Sequence, residues 1–233
     1  LTGRHETSGN GFGASVTLSA DGNTAFVTDY YQGLQIFDIA ESFANGDASV
    51  ATSPSLTGTF DTSGWSFGVT ISADGNTAFV ADSLSGLHII NISNPASPSL
   101  TATYDTSGAA RGVTISADGN TAFVADDSSG LQIIDVSNLA SPSLTATYDT
   151  SGAAYGVTLS ADGNTAFVAD YSDGLDIIDV SNPASPSLTG TYNTSGNAED
   201  VALSADGNTA FVADRAHGLD IIDVSNHASP TLI

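Results

Sequence analysis

Cysteine, methionine and lysine are all missing from the 233 residues, and the basic residues are three arginines: Arg4, Arg111 and Arg215. Without cysteine there is no disulfide framework, and the redox compartment cannot be read from thiols. Without methionine there is no initiator, so the chain reads as a mature product or as a module of a longer one, with any signal peptide removed. No apolar run approaches ~20 residues, which excludes a membrane-spanning helix. No stretch carries helical periodicity either. Against the three cations stand 26 acidic residues, for a net charge of −23. Such a body repels phosphate, so nucleic acid and anionic membrane are poor partners. Dense carboxylates without lysine fit saline or alkaline surroundings, because at ~1 M salt the Debye length falls to about 3 Å and self-repulsion is screened.

What the chain does have is one sentence written five times. Its turn aspartates are Asp21, Asp74, Asp118, Asp162 and Asp206, spaced by 44 residues after a first interval of 53. The repeat units run over about 8–60, 61–104, 105–148, 149–192 and 193–233 plus 1–7, together one domain. The fourth unit reads as strands Gly156 to Ser160, Thr165 to Asp170, Leu175 to Ser181 and Leu188 to Asn193, separated by Asp-Gly-Asn, Gly and Pro turns. A period of this size built of strand and turn predicts a β-propeller. The fold expected is all-β: five four-stranded antiparallel blades. The fifth unit stops near Pro230, and Leu1 aligns with Leu188. Residues Leu1 to Glu6 are therefore expected to supply the missing outer strand. Docked on blade five they would close the ring; docked on a neighbour they would link subunits.

The third strands read Leu34 to Asp38 (LQIFD), Leu87 to Asn91 (LHIIN), Leu131 to Asp135 (LQIID), and LDIID at Leu175 to Asp179 and Leu219 to Asp223. Together with the flanking FVADxxxGL and DVSNPASP segments they resemble the LVIVD repeat, and the SADGNTAFVAD half is similar to YVTN-type propeller repeats. The resemblance covers essentially the whole chain. It implies a surface or secreted protein of a bacterium or archaeon and brings no catalytic residues with it.

Comparison of the units with each other separates scaffold from variation. Divergence concentrates in the segments leading into strand one and in the turns between strands two and three, which share one face of a four-stranded blade. These segments hold Trp65, Phe67, Arg111, Tyr155, Glu199 and Asp200, and Tyr30, Tyr31, Tyr171, Asp173, Arg215 and His217. Aromatics, arginine and carboxylates at one channel mouth suggest a recognition face for glycan or a protein partner; unselected variation in exposed loops is the competing explanation. On the opposite face, repeat one inserts Glu41 to Ser49, readable as a docking element or as a solvated excursion.

Asp29, Asp82, Asp126, Asp170 and Asp214 close strand two in every unit. Hard oxygen ligands of this kind suit calcium, yet no calcium-loop spacing surrounds them, and the better expectation is that each caps its own turn. No cofactor is expected. His5, His88, His217 and His227 are scattered, and His88 reads as a surface residue. A hydrolase using Glu199 or Asp200 as acid or base is conceivable, but a solvated rim carboxylate is the simpler reading. The sequence thus points to a non-catalytic extracellular module. It would act as an assembly subunit of a cell-surface layer, filament or adhesin, with copies of itself or other surface proteins as partners. The alternative is a lectin-like propeller using the variable face.

Overall fold

The computed structural model describes residues 13–40 and 54–233. Within them the chain is all-β, with twenty strands in five four-stranded antiparallel sheets and no helix. Blade 1 comprises β1 (Gly13–Leu18), β2 (Thr24–Asp29), β3 (Gly33–Asp38) and β4 (Ser55–Phe60). Blade 2 comprises β5 (Gly68–Ile71), β6 (Thr77–Ala81), β7 (Leu87–Asn91) and β8 (Ser99–Tyr104). Blade 3 comprises β9 (Gly112–Ile115), β10 (Thr121–Ala125), β11 (Leu131–Asp135) and β12 (Ser143–Tyr148). Blade 4 comprises β13 (Gly156–Leu159), β14 (Thr165–Ala169), β15 (Leu175–Asp179) and β16 (Ser187–Tyr192). Blade 5 comprises β17 (Ala198–Leu203), β18 (Thr209–Asp214), β19 (Gly218–Asp223) and β20 (Thr231–Leu232). The protein is a five-bladed β-propeller, as the repeat predicts.

The first hairpin of every blade is fixed by its own side chains. In blade 4 the Ser160 hydroxyl donates to Asp162 at 2.6 Å and accepts the Thr165 N–H at 3.0 Å, while Asp162 also accepts the Asn164 N–H at 3.0 Å. Gly163 supplies the positive φ of 72° that the turn requires. The same arrangement holds Asp21, Asp74, Asp118 and Asp206, and these hydrogen bonds keep all five carboxylates below the usual carboxylate range.

The two central strands are apolar on both faces because each blade lies between two others. Phe79, Ala81, Leu87 and Ile89 of blade 2 pack on Val113, Ala122, Val124, Ile134 and Val136 of blade 3. Equivalent residues build the interfaces between blades 1 and 2, 3 and 4, and 4 and 5. Burial of each such leucine or isoleucine contributes roughly 1.5–3 kcal/mol. Among the described residues no such cluster joins blade 5 to blade 1.

Two expectations need correction. The third strand ends at Asp179, not Ser181, because the Asp179 carboxylate turns back to accept the Ser181 N–H at 2.9 Å. The outer position of blade 5 is begun by β20, with Leu232 opposite Ile222 as Leu188 is opposite Ile178. Leu232 thus takes the place that alignment assigns to Leu1, because the short local connection used by blades 2 to 4 also serves here. Residues Leu1 to Glu6, and with them ring closure by an N-terminal strand, lie outside the described residues, as does the Glu41 to Ser49 insertion.

Candidate channel-mouth site

Backbone hydrogen bonds bring the two variable segments together. Ser83, in the turn between strands two and three of blade 2, exchanges hydrogen bonds of 2.9 and 3.0 Å with Ala110, which leads into blade 3. Asp127 and Ala154 do the same, as do Tyr171 and Ala198. Ser83, Asp127 and Tyr171 take positive φ values of 48°, 50° and 44° to make this bridge. Left-handed backbone at a non-glycine residue costs of order 1–3 kcal/mol and is held by its surroundings.

On that frame the side chains form a continuous track. Tyr30 stacks on Trp65 with ring centroids 5.1 Å apart, and meets Tyr31 edge-on at 5.3 Å and Phe67 at 4.9 Å. The Arg111 guanidinium follows, 5.0 Å from the Phe67 ring and 4.0 Å from the Tyr155 ring. Its Nε donates to Asp127 at 2.7 Å. Tyr155 in turn stacks on Tyr171 at 4.7 Å. Trp65 is half exposed, at 50%. The stack therefore crosses from blade 1 to blade 4 and offers an aromatic face to solvent at its first end.

Beyond Tyr155 the mouth turns polar. Glu199 approaches Arg215 at 3.8 Å, with both side chains open to solvent. Asp200 lies inside the channel, reachable by water yet crowded by protein. That crowding pushes its carboxyl above the usual range, while the Val201 N–H, donating at 2.9 Å, opposes the shift. Among the described residues Val201 is its one hydrogen-bond partner, so no histidine or hydroxyl relays a proton to it. His217 turns back toward Asp214 at 3.5 Å, and the Asp173 carboxylate accepts the Ser172 hydroxyl at 3.5 Å. A cavity of about 380 Å³ opens between Phe67, Arg111, Tyr155, Glu199 and Asp200. Its inner wall is close-packed through glycine: a Cβ on Gly68 or Gly112 would come within 2.6 or 2.7 Å of the next blade's backbone oxygen.

The five aspartates at the end of strand two sit one per blade and are buried. Their expected role needs refinement. Asp126 accepts the Thr106 hydroxyl at 2.6 Å and the Gly108 N–H at 2.7 Å, and Asp170 accepts the Gly152 N–H at 2.7 Å. Asp82 accepts Thr62 and Ser66 hydroxyls at 2.6 and 2.7 Å. These partners belong to the crossover arriving from the preceding blade, because the Thr-Ser-Gly segment passes directly over the carboxylate. Asp214 does cap its own turn, accepting from Ala216 at 2.9 Å, and also holds Gly196 at 2.9 Å. In Asp29 it is Gln35 that donates, at 3.4 Å. Among the described residues no group of three or more histidines and carboxylates is placed to hold a metal.

The second position of strand three lies beside these aspartates, and its importance is not evident from pattern alone. It holds Gln35, His88, Gln132 and Asp176 in blades 1 to 4, all buried. His88 is therefore not a surface residue. Its ring lies 3.6 Å from Asp82, and among the described residues neither ring nitrogen has a hydrogen-bond partner. Burial holds its pKa down, with the Asp82 charge opposing. In blade 4 two carboxyls meet instead: burial, then the charges of Asp170 and Asp173, push Asp176 up to about 7.

The sequence profile described as the LVIVD repeat matches residues 13–62, 69–106, 107–150, 151–194 and 195–233. None of the curated proteins matches the chain. Among solved structures the chain resembles a protein from Lactobacillus plantarum (TM-score 0.78, 18% identity, 95% of this chain and 70% of that one). It also resembles a functionally unknown protein from Desulfotomaculum acetoxidans (TM-score 0.75, 18% identity, 95% and 68%). A third likeness is to a candidate 6-phosphogluconolactonase from Bacteroides fragilis (TM-score 0.74, 15% identity, 94% and 68%). At these identities the likeness is one of fold.

Proposed function

The chain belongs to the LVIVD repeat family, and from that premise we propose that it is a non-catalytic extracellular module that acts by binding, with the channel mouth as its recognition surface. The observation that carries this reading is the half-exposed Trp65 stacked on Tyr30 at 5.1 Å, at the head of a track that ends in Glu199 and Asp200. Aromatic faces stack on the apolar face of a pyranose, and carboxylates accept its hydroxyls. With a net charge of −23, the ligand favoured is a neutral glycan or a glycan-bearing surface protein rather than a polyanion. No cofactor enters this reading. Dense carboxylates without lysine fit a saline or alkaline habitat.

A second reading makes the module a structural subunit of a cell-surface layer, filament or adhesin, joined to copies of itself or to other surface proteins. It is favoured by the apolar sides left exposed on blades 1 and 5.

Retention on an array of neutral glycans tests the first reading. Wild type and Thr145→Ala, on an exposed outer strand, should be retained alike, and Trp65→Ala should lose at least about fivefold in affinity, a stacked ring being worth ~1 kcal/mol or more. Equal retention of all three would contradict it.

A further inference from the structure

The sides of blades 1 and 5 are the two halves of one interface. Between internal blades, Leu87, Leu131 and Leu175, with Ile89, Ile133 and Ile177, point toward the following blade and are fully buried. The equivalent residues of blade 5, Leu219 and Ile221, are 57% and 37% exposed. Toward the preceding blade, Val69, Val113, Val157 and Val201 are 6–9% exposed, whereas Val16 of blade 1 is 62% exposed. Blade 5 therefore carries the side that a following blade covers, and blade 1 the side that a preceding blade covers. Both keep the apolar residue types of the buried copies, which solvent alone does not call for.

The chain superposes over 95% of its length on structures of which it spans 68–70%, and the length those structures have left over is that of about two more 44-residue units. Blade 5 departs from the internal blades in one respect: Asp200 stands where Gly68, Gly112 and Gly156 make close approaches to the next blade. A bulge between Ala198 and Asp200 accommodates it, and the same bulge between Gly13 and Ser15 does not prevent blade 2 from packing on blade 1.

We propose that the seam between blade 5 and blade 1 is a docking site for a wedge of about two further LVIVD-type blades continuing the same polypeptide, packing on Leu219 and Ile221 at one side and on Val16 at the other. This goes beyond the mouth reading and does not depend on it: the glycan array reads one and the measurements below read the other. It also replaces the strand exchange of the subunit reading with blade-side packing.

The test is an extension series that keeps the 44-residue period. Appending a further copy of residues 190–233, 146–233 or 102–233 directly after Ile233 adds one, two or three blades, because Ile233 is equivalent to Thr189 and Thr145. Melting temperature and solution mass are measured for each. The two-blade extension should be monomeric and should melt about 10 °C or more above the unextended chain, with one and three blades giving less. Leu219→Gln should leave the unextended chain unchanged and remove much of the gain in the two-blade form. A monomeric unextended chain whose melting no extension raises would overturn the proposal, since the ring would then be closed already. So would a defined dimer that hides Leu219, which would make a second copy the occupant.

Discussion

The guanidinium carbon of Arg111 lies 4.0 Å from the ring centroid of Tyr155, one blade away, while its other side faces Phe67 at 5.0 Å. One side chain thus ties blades 2, 3 and 4 together at the mouth and is itself fixed by Asp127 at 2.7 Å. Arg111→Ala should cost about 1–2 kcal/mol of stability, two partly exposed cation–π contacts being worth ~0.5–1 kcal/mol each. Arg111→Lys should not restore it, because a point ammonium cannot stack on two rings and bond Asp127 together. Denaturant midpoints of the three proteins check this; full recovery with lysine would reduce the contact to charge alone.

At His88 the prediction runs toward greater stability. Both ring nitrogens are buried beside Asp82 without hydrogen-bond partners among the described residues, and an unsatisfied buried polar group costs ~1–3 kcal/mol. Blades 1 and 3 place glutamine here, and Gln132 donates to the Ser129 carbonyl at 3.0 Å. His88→Gln should therefore raise the melting temperature by about 2–4 °C for each kcal/mol recovered. A lower melting temperature would show that the imidazole has an acceptor or donor of its own.

The buried pair in blade 4 sets a pH dependence with a definite sign. Asp176 is pushed up to about 7 by burial and by Asp170 and Asp173, whereas in the unfolded chain it ionises near ~3.9. Its protonated form is favoured by folding, so this contribution is fully present below about pH 4 and is lost as pH rises through about 7. Asp176→Gln should remove that decline and be the more stable protein at pH 8. Thermal unfolding between pH 5 and 8 measures it; parallel curves for the two proteins would show that Asp176 is ionised throughout.

The inner wall gives a packing prediction. A Cβ on Gly112 would lie 2.7 Å from the Tyr155 carbonyl oxygen, closer than real contacts allow. Gly112→Ala should cost roughly 1–3 kcal/mol as overpacked sites do, visible as a lower denaturant midpoint. No loss would mean that the inner strands separate easily.

Much of this architecture was legible in the chain because the repeat records it five times. The Ser-Ala-Asp-Gly-Asn turn declares its own hydrogen bonds, and Phe79, Leu87 and Ile89 recur in every unit, at core positions in blades 1 to 4. The gathering of Trp65, Tyr30, Phe67 and Arg111 on one face followed from comparing units. What remained hidden depends on distances between units. His88 and Asp176 looked like ordinary variation on an alternating strand, because burial there comes from the crossover above Asp82 and Asp170. The open sides of blades 1 and 5 were equally hidden: Leu219 and Val16 match their buried counterparts in identity and differ in being exposed. That Leu232 stands opposite Ile222 was equally unreadable, since alignment cannot tell which of two similar segments reaches a strand.

The location of ligand binding is open to direct observation because Trp65 is the one tryptophan in the chain. Its fluorescence, titrated with a neutral glycan retained on the array, should change saturably with the same affinity as retention and be restored by competing free glycan. Binding that leaves the Trp65 emission unmoved would place recognition elsewhere on the propeller and contradict the account.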